Sequence, residues 1–183
     1  MQRDLVERAM GGDHDAFSAL VRASAAGMLR VANLILRDTA AAEDATQEAL
    51  VAAWRNIRGL RDPDRYDAWI HRLLVNECHR EGRRGNRGLR QVQAFVGNVA
   101  DPDASSAIGD RDQLDRGFSR LPEDQRVILV LHYYVGLTLD ETAGVLRLPT
   151  GTVWSRLHRG TQAMRAALEA DSRLVPAGDG GPR

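Results

Sequence analysis

The sequence predicts an all-α protein: two small helical domains joined by a flexible linker. Three observations carry this. From Leu5 to Arg84 apolar residues return three and four positions apart, with no alternation of strand and helix patterns. From Thr138 to Leu168 a short capped helix, a proline turn and a longer basic helix follow one another. Between these parts, residues 88–112 hold glycine, serine, aspartate and Pro102, with a weak apolar cluster at Val92, Phe95, Val96 and Val99 and room for one short helix. A connection of about 25 residues is long for the inside of one compact domain, so it separates two. The expected division is 1–87, a linker at 88–112, a second domain at 113–171, and a disordered polar tail at 172–183.

In chain order, Leu5 to Leu36 reads as two helices broken at Gly11-Gly12. Asp13 or Asp15 can cap the second, whose apolar positions are Phe17, Leu20, Val21, Met28, Leu29, Ala32 and Leu36. Asp38 or Thr39 caps a third helix ending near Ile57, with Leu50, Trp54 and Ile57 expected on its core face. Its other face shows Asp44, Gln47, Glu48, Val51 and Arg55. The helix dipole accounts for acids at Glu43 and Asp44, and accounts less well for Glu48 a turn later. Glycine, proline and acids make Gly59 to Asp67 a loop. Asp67 is the expected cap of the next helix, AWIHRLLVNECHREGRR, with Trp69, Leu73 and Val75 apolar. Arg72, Asn76, His79, Arg80 and Arg83 share its polar side.

The second domain starts with a helix at Gln113 to Leu121, and Pro122 suits the first position of the apolar helix EDQRVILVLHYYV, which Gly136 ends. Thr138 and Glu141 form a capping box for a helix to about Leu146. Pro149 stops it and Thr150 can cap a second helix, with Val153, Leu157, Met164 and Leu168 on its apolar side. Arg156, His158, Arg159 and Arg165 lie on that helix, and no acid occurs between Thr150 and Leu168. Such a helix can neutralise phosphates and offer guanidinium forks to guanine edges. A solvated amphipathic helix is the plainer alternative; the capped partner helix and proline turn favour a DNA-binding helix-turn-helix.

At 183 residues with formal net charge zero, the chain is not a general nucleic-acid coat. The zero hides segregation: Asp38 to Ala53 holds four acids and no base, whereas Ala68 to Arg87 holds five arginines against Glu77 and Glu81. All its non-histidine bases are arginine. No apolar run approaches the ~20 residues of a membrane span, and the start lacks a secretion signal, so a cytoplasmic protein without membrane insertion is expected. The single cysteine, Cys78, excludes an internal disulfide and a multi-cysteine zinc site. His71, Glu77, Cys78 and His79 do not converge as ligands, because adjacent positions diverge by about 100° around a helix. Asp38, Glu43, Asp44 and Glu48 have no accompanying catalytic base or phosphate loop. No enzyme, metal or cofactor is therefore expected.

Four stretches, taken in order, resemble the extracytoplasmic-function (ECF) class of bacterial sigma-70 factors: DTAAAEDATQEALVAAWRNI, LRDPDRYDAWIHRLLVNECHREGRR, LPEDQRVILVLHYYVGLTLDETAGVL and LPTGTVWSRLHRG. The resemblance runs from about Asp4 to Asp171 and implies a sigma region 2 bundle followed by a region 4 helix-turn-helix. It implies that Asp44, Gln47, Glu48, Val51 and Arg55 dock on the β′ clamp helices of core RNA polymerase, with the β flap as a further contact. It implies that the loop with Arg61, Arg65 and Tyr66 captures an unstacked base of the −10 promoter element, and that Arg72, Asn76, His79, Arg80 and Arg83 face −10 DNA. It assigns −35 reading to Thr152, Trp154, Ser155, Arg156, His158 and Arg159. An anti-sigma protein is the other partner it implies. Trp154, Arg147 and Thr142 depart from residues common at these places, which bears on promoter preference and on packing of the turn. The competing reading is a two-domain regulator that binds DNA without joining polymerase.

Overall fold

The computed structural model describes the backbone of residues 2–88, 114 and 116–174. Most of the predicted linker, and the tail beyond Leu174, lie outside the described residues. Every regular element among the described residues is helical. The first half holds α1 (Gln2–Met10), α2 (His14–Leu36), α3 (Thr39–Asn56), short 3-10 turns at Ile57–Gly59 and Pro63–Arg65, and α4 (Tyr66–Gly88). The second holds a helical turn at 116–119, α5 (Glu123–Leu129) with a π-helical continuation (Val130–Tyr134), α6 (Leu139–Leu146) and α7 (Thr150–Leu174).

The helix starts follow local chemistry. Asp13 caps α2: its Oδ1 accepts from the amides of Asp15 (2.9 Å) and Ala16 (3.0 Å), while Arg8 donates to Oδ2. The Ala16 amide and the Arg8 guanidinium hold the Asp13 carboxyl below the usual carboxylate range. Gly12, at φ 97°, makes the turn that precedes it. Asp38 caps α3 through the Ala41 amide. Asp67 does not cap α4. Asp62 caps the preceding 3-10 turn, whose first residue is Pro63, and α4 follows directly from Tyr66, which places Asp67 inside its first turn.

The core face of α3 differs from the expected one. Ala42, Ala45, Ala49 and Ala53 are fully buried, with Ile57 following, whereas Trp54 is exposed and Leu50 half-buried. Small side chains bring α3 close to α2 and α4, and the large residues expected inside are left at the rim. Met28, Ile35, Ile70, Leu74 and Cys78 complete the centre of this core. α2 is long and apolar enough to span a membrane by length and composition, but it buries Phe17, Leu20, Met28, Val31 and Ile35 inside this bundle.

In the second half Pro122 is the N-cap of α5 rather than its first residue. The expected continuous helix changes to π geometry at Val130: the Val135 amide donates to the Val130 carbonyl, and Gly136 at φ 85° turns the chain. Gly160 of α7 sits against Leu129, where a β-carbon would meet leucine Cδ1 at 3.3 Å. Leu121, Ile128, Leu129, Ala143, Val153 and Leu157 form a small cluster of their own. Val127, Val130, Leu131, Leu137 and Val145 instead join the core of the first half, so the two halves pack together.

Candidate functional site

Three surfaces contain the residues singled out from the sequence. The first is the outer side of α3. Asp44, Gln47, Glu48 and Arg55 are exposed and Val51 half-buried, opposite the alanine stripe. Beside them runs an apolar trough between α2 and α3, lined by Phe17, Val21, Leu29, Leu50, Val51 and Trp54 with Glu43 and Gln47 at its edge. Trp54 leans on Phe17 and His14, with ring centroids 4.9 and 4.5 Å apart. Sequence reasoning missed the trough, having assigned Leu50 and Trp54 to the core. The signal was present: an alanine every third or fourth residue already supplied a buried face.

The second surface is a cleft of about 700 Å³. Arg61, Asp62 and Arg65 of the α3–α4 connection and Ala68, Trp69 and Arg72 of α4 line one wall; Asp140, Glu141, Gly144 and Val145 of α6 line the other. Arg61 and Arg65 are exposed, and Arg65 Nε lies 3.7 Å from Asp62 Oδ2. Tyr66, expected to wall a base pocket, is instead 3% exposed, and burial pushes its phenol up. The earlier start of α4 turns it into the core. Trp69, one of the apolar residues of this helix, lines the cleft in its place, its ring centroid 6.0 Å from that of Tyr66.

Further along α4, Arg72, Asn76, His79 and Arg83 follow one another at helical spacing, with Arg80 alongside. Asn76, Arg80 and Arg83 are exposed. Arg80 is held by Glu77 at 2.7 Å, and His79 lies 3.8 Å from Glu123 of α5. Cys78 on the opposite side is fully buried; burial first, and the Glu123 carboxylate second, push its thiol up to about 12. It is not a thiolate at neutral pH.

The third surface is α7. The capping box at its partner α6 is complete: the Glu141 amide donates to Thr138 Oγ1 (3.2 Å), and the Thr138 amide donates to the Glu141 carboxylate (2.8 Å). Arg147 takes the left-handed conformation at φ 55° and ends α6. Thr150 does not cap α7. The Pro149 carbonyl accepts the first amides, and the Thr150 hydroxyl donates to Asp140 (3.0 Å), tying the two helices. The six predicted reading residues then divide. Trp154, His158 and Arg159 are exposed; Thr152, Ser155 and Arg156 are half-buried. Trp154 and His158 lie parallel, centroids 5.6 Å apart. Ser155 spends its hydroxyl on the Thr152 carbonyl, and Arg156 is 3.5 Å from Asp124. This face carries one indole, one imidazole and one exposed guanidinium, the Arg159 Nε donating to the Ser155 carbonyl at 3.3 Å and the His158 ring lying 2.9 Å from the Gln162 amide nitrogen. Among the described residues no cluster of three or more His, Cys, Asp or Glu could hold a metal.

Residues 20–88 match sigma-70 region 2, and residues 111–164 match sigma-70, region 4. An RNA polymerase sigma-H factor of Pseudomonas aeruginosa is 30% identical over 180 residues, covering 91% of this chain and 93% of that one. The ECF RNA polymerase sigma factor SigM of Mycobacterium tuberculosis is 31% identical, covering 90% and 83%. SigW of Bacillus subtilis, also an ECF RNA polymerase sigma factor, is 27% identical, covering 92% and 97%. Among solved structures, CnrH in complex with the cytosolic domain of CnrY aligns with a TM-score of 0.70 at 25% identity over 93% of this chain and 98% of the other. RpoE of Bartonella quintana, solved with the anti-sigma factor NepR, has the same fold at a TM-score of 0.72 and 22% identity, covering 85% and 98%.

Proposed function

The chain belongs to the extracytoplasmic-function class of bacterial sigma-70 factors, and from that premise we propose how its three surfaces divide the work. It is an RNA polymerase sigma factor: it joins core polymerase and directs promoter recognition and melting at initiation. We assign 1–87 to region 2, 88–112 to the linker and 113–171 to region 4. In this reading the protein acts in the cytoplasm as a non-catalytic specificity subunit; nucleotides and magnesium belong to the polymerase.

The observation that carries the division is the separation of charge between α3 and α4. Asp44, Gln47, Glu48, Val51 and Arg55 project from one side of the alanine-packed helix, and we assign them to core polymerase. A carboxylate-bearing face beside an apolar trough suits a basic amphipathic partner helix, with charges setting register and on-rate. Arg61, Arg65, Arg72, Asn76, His79, Arg80 and Arg83 are assigned to the −10 element, with Trp69 rather than Tyr66 as the stacking wall. Trp154, His158 and Arg159 contact the −35 element, and Thr152, Ser155 and Arg156 hold the helix in place behind them. An anti-sigma protein is a further partner in this reading. Once one domain docks, the second binds at high effective concentration.

The test is run-off transcription on genomic fragments with purified core enzyme. RNA should start at defined positions only when this chain is added; equal selectivity without it sinks the reading. Glu48→Arg should lower capture of core polymerase at least about tenfold, as expected for like charges brought together at an interface. An unchanged pull-down removes α3 from that interface.

A further inference from the structure

The helix assigned to the −35 element carries a tryptophan that its own fold does not use. Val153 and Leu157 are buried and supply the apolar side of α7. Trp154, beside them in the first turns of the helix, is 58% exposed. The ring is nevertheless held. His158, four residues on, lies parallel to it, the planes within 2° and the centroids 5.6 Å apart. The Gln162 amide nitrogen, four residues further, lies 2.9 Å from His158 Nε2. The three side chains form one row along the helix, as residues four apart do. Nε2 is spent inside that row, so the imidazole serves it as a flat ring.

The polar groups around the indole are turned back on the protein. The Ser155 hydroxyl donates to the Thr152 carbonyl at 3.0 Å, and the Arg159 Nε to the Ser155 carbonyl at 3.3 Å. Arg156 Nη1 lies 3.5 Å from the Asp124 carboxylate. A broad apolar surface, fixed before any DNA arrives, therefore stands at the end of a helix whose first residues face base edges in a helix-turn-helix.

We propose that Trp154 is the specificity-determining residue of α7, and that it selects a thymine in the −35 element by packing on the 5-methyl group of that base. The inference rests on the assignment of α7 to that element. Thymine alone among the four bases shows an apolar group in the major groove, beside one acceptor, O4. An indole shows the matching set: apolar ring surface and a single N–H donor, with no acceptor for the amino group of adenine or cytosine. His158 is a positioning residue that keeps the ring from turning, so little side-chain freedom is lost on binding.

The experiment uses the holoenzyme, core polymerase with the full chain, on a promoter found by run-off transcription and then randomised through its −35 region. Transcripts from the unsubstituted chain should be enriched in thymine at one position on one strand. Trp154→Ala, which removes an exposed side chain, should abolish that enrichment and keep the preferences at other positions. Trp154→Arg should move the preference at that position to guanine, a gain that misfolding cannot produce. Replacing the selected thymine by deoxyuridine removes the methyl and leaves the hydrogen-bonding edge. Initiation by the unsubstituted chain should then fall about fourfold, the worth of one buried methyl-sized group, and initiation by Trp154→Ala should not change. His158→Ala should shrink the thymine-to-deoxyuridine ratio with helix content by circular dichroism unchanged, and His158→Phe, which restores a flat ring, should recover it.

Equal initiation on thymine and deoxyuridine by the unsubstituted chain overturns the proposal. So does an equal fall in the unsubstituted chain and Trp154→Ala, or a loss in Trp154→Ala that is uniform over all sequences, as a ring pressed on the sugar–phosphate backbone would give. In each of these cases selective initiation still occurs, and the sigma assignment stands. Absence of selective initiation from every template removes that assignment and this inference with it.

Discussion

The two halves of this protein are both helical, yet they are held together on different terms. The first half buries its apolar residues within itself: Met28, Ile35, Ile57, Ile70 and Leu74 fill a continuous core, and the alanine stripe of α3 lets α2 and α4 close over it. The second half divides its apolar residues. Leu121, Ile128, Leu129, Val153 and Leu157 make a small cluster, while Val130, Leu131 and Leu137 are covered by the first half. A small core buries a lower fraction of its chain and is correspondingly marginal. What steadies the helix-turn-helix locally is capping chemistry: the Thr138–Glu141 box, the left-handed Arg147, and the Thr150–Asp140 bond. One half is organised by packing, the other by its helix ends and its neighbour.

The sharpest way to break that contrast is to cut into the larger core. Leu74→Ala, at a fully buried position, should cost about 2–5 kcal/mol in urea denaturation and weaken both halves, because the second leans on the first. Loss confined to the first half would show that the second folds on its own. Ala49→Leu should cost roughly 1–3 kcal/mol by forcing α3 away from its neighbours, although leucine is the more apolar residue. A neutral or stabilising result would mean that the alanine stripe does not set helix spacing. Thr138→Ala should cost about 1 kcal/mol, through loss of the α6 cap, and should leave the α3 surface and core-polymerase capture untouched.

The smallest effect is a pH dependence. The Glu141 carboxyl is held below its ordinary value of about 4.5, so its stabilisation is complete above that pH and is lost as pH falls through the folded value. Glu141→Gln keeps a capping side chain that does not titrate. Its thermal midpoint should therefore fall less than that of the unsubstituted chain between neutral pH and about pH 3. Identical acid profiles would remove Glu141 from the stabilising contacts.

Much of this was legible in the sequence. Asp13, Asp38 and the Thr138–Glu141 box declare themselves, because a cap involves residues within three positions of one another. The same locality explains why the acids of α3 and the arginines of α4 could be placed on the correct faces. Errors arose where a side chain had a choice between partners. Trp54 and Leu50 looked like core and became the rim of a trough, since alanines had already filled the interior. Tyr66 looked like a base-stacking wall and was turned inward by a single change in where α4 begins, leaving Trp69 at the cleft. Thr150 looked like a cap and instead bonds Asp140, ten residues away.

By itself, then, the sequence determined the helices, the caps at Asp13, Asp38 and Thr138, the positions of the acidic and basic faces, and through four ordered stretches the family. Those are properties of neighbours along the chain, where geometry is set by a 3.6-residue period and a few hydrogen bonds. Tertiary structure alone decided which apolar residues lie inside, that Val130 and Leu131 belong to the core of the other half, and that Asp140 and Glu141 face Arg61 and Arg65. Those outcomes depend on how closely two helices approach, which is fixed by side-chain volume across an interface that no local spacing encodes.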